Sequence, residues 1–296
     1  MKQLHLPGIP PPEQIVNVAS VKHRSPFRYP GGKTWLVPRI FRWLASLPPS
    51  RRKVLLEPFA GGAIVGLSAA FEGWVSHVVL VELDDEVAAV WQTIIEDDAG
   101  EWLAERIRTF DLTPDTVDSL LAHPAPSCPE RAFQTIVKNR VNRGGILAAG
   151  AGRLKHGENG KGLASRWYPA TLSQRILDIR AIRQRLTVVH GDGLAVMQHY
   201  AKQDDMVLFI DPPYTAGGKK PGTRLYTHAT LDHVALFQLG GTVDGDFLMT
   251  YSHDEAITRL AQQHNFQWRT VAMKNTHHAR QTELLIGRDL AWLDGG

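Results

Sequence analysis

Asp211-Pro212-Pro213-Tyr214 follows directly on the apolar run 206–210. Such a run reads as a buried strand, which puts the tetrapeptide at a strand's carboxyl end, where open α/β sheets hold their ligands. Two consecutive prolines remove two backbone donors and stiffen the turn. The turn presents a carboxylate, carbonyl oxygens and an aromatic face to one small volume. That set suits a planar base carrying an exocyclic amino group: Asp211 and the Pro212 carbonyl accept its two N–H bonds, and Tyr214 stacks on the ring. An amino nitrogen held this way aims its lone pair, so direct in-line transfer relies on orientation and preorganised acceptors more than on a strong base. A rigid strand-ending turn with a surface Asp is the plainer reading of the same residues.

Three further pieces frame that turn. Val54-Leu55-Leu56 is a second apolar run, followed by Glu57-Pro58-Phe59-Ala60-Gly61-Gly62-Ala63 and a helical stretch over 64–71. A strand, a glycine turn and a helix let backbone approach a nucleotide-like ligand closely. The strand-like run 75–83 ends in Glu82-Leu83-Asp84, and an acid about 20 places beyond a glycine turn suits a ribose hydroxyl. Tyr29-Pro30-Gly31-Gly32-Lys33 precedes an amphipathic stretch over 34–47. It leaves N–H groups and one cation at a helix start, which favours a carboxylate; an ordinary turn before a helix is the alternative. Asp192 follows the strand-like 187–191, either as a ligand contact or as the cap of the next helix.

Assembled, these motifs resemble the Dam-type family of adenine-specific DNA methyltransferases, in that family's order and spread over roughly residues 25 to 215. One departure is Ala63, where the family usually has glycine. The resemblance implies S-adenosylmethionine as methyl donor. Tyr29, Gly31, Gly32 and Lys33 would surround its methionine moiety, and the turn from Glu57 through Phe59 to Gly61 and Gly62 would approach it. Glu82 would hold the ribose hydroxyls, Asp192 the adenine amino group, and Asp211 would border both donor and base. The expected reaction is methylation of adenine N6 in duplex DNA with base flipping. Cytosine N4 methylation and an inactive nucleic-acid-binding relative are the alternatives.

The elements that must position these residues are legible as an alternation. Strand-like runs at 54–56, 75–83, 187–190, 206–210, 246–251, 267–273 and 283–287 are separated by helical patterns. The expected fold is an α/β, Rossmann-like methyltransferase sheet, mostly parallel, ending in an antiparallel hairpin. Residues 1–22, with Pro7, Pro10, Pro11 and Pro12, read as a flexible extension; 23–98 and 186–296 form the donor-binding catalytic part. Residues 99–185 read as a mainly helical target-recognition insert with a glycine-rich basic loop. Lys138, Arg140, Arg143, Arg153 and Lys155 there, and Lys219 and Lys220 after the proline turn, are the candidate DNA contacts.

Composition narrows the class. Of 296 residues 43% are hydrophobic, enough for a large core, and the net charge of +3 with a pI near 9.0 permits a polyanionic partner. The single cysteine, Cys128, forms no internal disulfide, fits a reducing cytoplasm and has no sequence-adjacent base to make it a nucleophile. No histidine spacing completes a metal site, so no metal is expected. No apolar run reaches membrane-spanning length. A cytoplasmic monomer acting on double-stranded DNA is expected, with a dimer and a companion restriction endonuclease left open.

Overall fold

The computed structural model describes residues 16, 18–29, 31–157, 160–213, 228, 230–274 and 280–294. Their strands are β1 (Val54–Glu57), β2 (His77–Glu82), β3 (Leu186–His190), β4 (Met206–Ile210), β5 (Asp246–Ser252), β6 (Gln267–Lys274) and β7 (Arg280–Gly287). They form one sheet in the order β3-β2-β1-β4-β5-β7-β6. Strands β1 to β5 pair in parallel, while β7 runs antiparallel to both β5 and β6. This is the Rossmann-like methyltransferase arrangement expected from the sequence. Strand order reverses between β1 and β4, which opens a crevice at their carboxyl ends.

Both sheet faces are covered, and the strands show why they read as continuous apolar runs. Leu55, Val78, Leu80, Val207 and Phe209 point into one core; Leu56, Val79, Val81, Leu208 and Ile210 point into the other. The first core is closed by α1 (Val37–Ser46), α2 (Ile64–Phe71) and α3 (Asp85–Ile95), the second by α8 (Gly193–Tyr200), α9 (His233–Thr242) and α10 (Glu255–Gln263). Each fully buried aliphatic or aromatic side chain contributes about 1.5–3 kcal/mol.

Between β2 and β3 lie α4 (Asp97–Thr109), α5 (Pro114–Leu121), α6 (Cys128–Val141) and α7 (Pro169–Ala181), with α3. Leu103, Ile107, Phe133, Ile136 and Ile176 of these helices are buried in the same core as α2 and α3. Ser127 and Thr113 cap α6 and α5, each followed by a proline in the first turn. No helix among the described residues is long and apolar enough to cross a membrane.

Candidate active site

Four parallel strands deliver an acid to the carboxyl edge of the sheet: Glu57 ends β1, Glu82 ends β2, Asp192 follows β3 and Asp211 follows β4. All four line one cleft, with Tyr29, Gly31, Gly32, Lys33, Phe59, Gly61, Gly62, Pro212 and Pro213. The structure thus gathers the described members of the sequence-derived donor set and proline turn in one place. Tyr214, Lys219 and Lys220 lie outside the described residues, as does Pro30.

The glycine turn is shaped around Glu82. Its Oε2 accepts the Gly61 N–H at 2.9 Å and its Oε1 accepts the Asp84 N–H at 2.9 Å. The Gly61 carbonyl accepts the Trp91 indole N–H at 2.9 Å. Both backbone groups of Gly61 are therefore engaged by the protein itself, and its value to a ligand is the missing side chain. Gly61 has φ +46°, and a Cβ there would come within 2.6 Å of the Tyr29 ring. At Gly193 a Cβ would overlap the Pro58 carbonyl. Ala63 also stands in the left-handed region, at φ 48°, as it caps α2, which explains physically why glycine suits that position.

Electrostatics divides the acids into two kinds. Glu57 is buried, and burial pushes its carboxyl up to about 8; the Gly66 N–H it accepts opposes this, and the charge of Asp211 adds to it. Burial likewise raises Glu82 to about 7, against the Asp84 and Gly61 N–H bonds. Asp211, by contrast, has a cation. Lys33 Nζ lies 2.9 Å from Asp211 Oδ1 and 3.2 Å from Glu283 Oε1, and donates to the Gly31 carbonyl at 2.8 Å. Thr250 Oγ1 donates to the same Asp211 oxygen at 2.6 Å. Glu283 and Thr250 are functional candidates that motif reading missed; the available signal was a single acid directly before the apolar run Leu284-Leu285-Ile286.

Asp192 both lines the cleft and caps α8, its Oδ1 accepting the Ala195 N–H at 2.8 Å. The two readings of that residue are compatible. The basic candidates of the helical region are placed less uniformly. Arg143 and Lys155 are exposed. Lys138 pairs with Glu86 at 2.7 Å, and Arg153 pairs with Asp118. Arg140 is not a loop residue: the last turn of α6 carries it inward, where it is 4% exposed and donates to the Pro26 carbonyl. Burial and the charges of Arg175, Arg28 and Arg166 push it down to about 9.

Residues 29–116 match the family described as D12 class N6 adenine-specific DNA methyltransferase. Over this span the chain is similar to that family. The matched segment carries the glycine turns, Glu57 and Glu82, whereas Asp192 and Asp211 of the same cleft lie beyond it. No curated protein sequence matches the chain. Among solved structures, the chain is similar to PH1948 of Pyrococcus horikoshii, described as a candidate RNA methyltransferase, at TM-score 0.43 and 10% identity, covering 91% of this chain and 93% of that one. It is also similar to the rRNA methyltransferase aviRa of Streptomyces viridochromogenes, at TM-score 0.41 and 12% identity, covering 90% and 88%. A methyltransferase from Geobacter sulfurreducens scores 0.38 at 11% identity, covering 88% and 80%.

The cleft fits S-adenosylmethionine by its donor set. A carboxyl at the end of β2, a turn whose glycines admit no Cβ, and Asp192 beside it provide for an adenosine moiety. Among the described residues no group of three or more His, Cys, Asp and Glu side chains could hold a metal ion.

Proposed function

We propose that the protein methylates the exocyclic N6 amino group of adenine in duplex DNA, using S-adenosylmethionine. The observation that carries this reading is that the Asp211-Pro212-Pro213 turn and the donor-binding acids line a single cleft. When bound there, the donor supplies an electrophilic methyl group; Glu82 and Asp192 would hold its adenosine part and Gly31 and Gly32 would border its tail, while Lys33 is turned to Asp211 and Glu283. Asp211 and the Pro212 carbonyl accept the two amino protons of a base rotated out of the duplex. With both protons held, the nitrogen lone pair points out of the base plane. Lys33 and Thr250 fix the Asp211 carboxylate for that task, so the acceleration comes from orientation and prearranged acceptors.

Exposed Arg143 and Lys155 would supply phosphate contacts to a polyanionic substrate. In this reading residues 99–185 serve as the target-recognition part.

Incubation with methyl-labelled donor and, separately, duplex DNA, single-stranded DNA and RNA, followed by digestion to nucleosides, tests the proposal. Label in N6-methyldeoxyadenosine from duplex DNA is expected. Label confined to N4-methyldeoxycytidine or to RNA overturns it. Asp211→Ala should abolish transfer while donor binding, followed by calorimetry, stays within about threefold.

A further inference from the structure

We propose that Glu283, with Thr250, is a positioning residue for methyl transfer: it shares the charge of Lys33, so that Asp211 meets the substrate amino group in a fixed orientation with its acceptor strength kept. The inference rests on the role given above to Asp211. Glu283 stands on β7, opposite Ser252 of β5 and Val271 of β6. Because β7 runs antiparallel, its first residues reach the edge where the parallel strands end, and so return a side chain from the far end of the chain to the cleft. Thr250 lies on the same sheet face, in step with Leu248 and Leu285, which both point into the first core.

A glutamate that is 4% exposed beside Leu285 and Val271 is costly unless its charge is answered. Lys33, 3% exposed, answers it. The ammonium has three N–H donors, and the Gly31 carbonyl, Asp211 and Glu283 stand at 2.8, 2.9 and 3.2 Å from it. One buried cation thus ties together residues 31, 211 and 283, and it faces two carboxylates. Were Asp211 its sole anionic partner, the full positive charge would polarise that carboxylate and weaken it as an acceptor for the substrate. With Glu283 present, the group carries a net negative charge. Thr250 adds a short bond to the same Asp211 oxygen and fixes the carboxylate plane.

The test compares Glu283→Gln, Glu283→Asp and Lys33→Met with the native enzyme, on whichever acceptor the native enzyme methylates. Glu283→Gln should lower the single-turnover rate about tenfold or more, with donor affinity and base flipping (2-aminopurine fluorescence) within about threefold. Glu283→Asp should recover at least about threefold of that loss, because charge rather than shape is the requirement. A second readout needs no turnover. In thermal unfolding, Lys33→Met should be strongly destabilising, and adding Glu283→Gln to it should recover part of the lost melting temperature, because one unanswered carboxylate is removed. Additive melting effects together with a native single-turnover rate in Glu283→Gln would overturn the assignment. An absence of DNA methylation by the native enzyme would count against the proposed function, while the melting cycle still decides on Glu283.

Discussion

Glu57→Gln gives the sharpest test of how the cleft is built. In the unfolded chain the Glu57 carboxyl ionises near 4.5, whereas in the folded protein burial holds the proton until about 8. The folded state therefore binds the extra proton throughout that window, and stability must fall as pH rises through it. The contribution is complete below 4.5 and gone above about 8. At about 1.4 kcal/mol per pH unit, the whole window amounts to an upper bound of about 5 kcal/mol. Local relaxation and water entry reduce such penalties, so about 2–4 kcal/mol is the expected size at pH 8.5. Glutamine keeps a carbonyl for the Gly66 N–H and cannot ionise. Urea unfolding of variant and native protein at constant ionic strength should show near-equal stability at pH 5. The variant's advantage should then grow steadily towards pH 8.5. Glu82, raised to about 7, destabilises the native protein with the same sign, but it is common to both proteins and cancels in the difference. A gap that stays constant within about 0.5 kcal/mol from pH 5 to 8.5 would refute a buried, proton-holding Glu57.

Other expectations are direct. Gly66→Ala would place a Cβ against Glu57 Oε1 and 2.8 Å from Val78 Cγ1; a loss of about 2 kcal/mol, roughly 5 °C in melting temperature, is expected despite alanine's better helix propensity. Arg143→Ala and Lys155→Ala should each flatten the salt dependence of duplex binding by about one unit of slope, as phosphate contacts do, whereas an unchanged slope would remove them from the interface. Donor binding measured calorimetrically at pH 7 in two buffers of different ionisation enthalpy should release protons, because a cationic ligand draws down Glu82 and Glu57. Identical heats in the two buffers would contradict that.

What the sequence disclosed and what it concealed have the same physical source. Strands buried on both faces leave apolar runs, so Met206–Ile210 and the acids that end such runs stood out along the chain. Their convergence followed from parallel topology alone, since every parallel strand delivers its carboxyl end to the same edge. Glu283 was hidden because it enters from an antiparallel strand, near that strand's beginning, where no motif marks the edge. Arg140 was misplaced because a run of basic residues looks alike on a loop and on a helix. α6 ends at Val141, so Arg140 stays on its buried side while Arg143 leaves along the extended Asn142 and is exposed. Ala63 read as a departure from a glycine pattern; its left-handed backbone shows that the turn keeps its shape with a methyl group, at the cost of local strain.

The acids at this edge could not all play one role, and the structure separates them by how each charge is answered. Asp211 and Glu283 share a buried ammonium, which answers both side chains from one place. Glu57 and Glu82 have backbone N–H partners, which answer a carboxylate only in part, and burial leaves both raised. A sulfonium donor is itself a cation, and it meets carboxyls that can give up a proton as it binds. The base-binding side needs a different property, an acceptor held in one orientation. Lys33 and Thr250, both on one Asp211 oxygen, supply it. An enzyme of this design would bind its donor in a pH-dependent manner through β1 and β2, yet orient its acceptor through β4, β5 and β7 with a carboxylate already set.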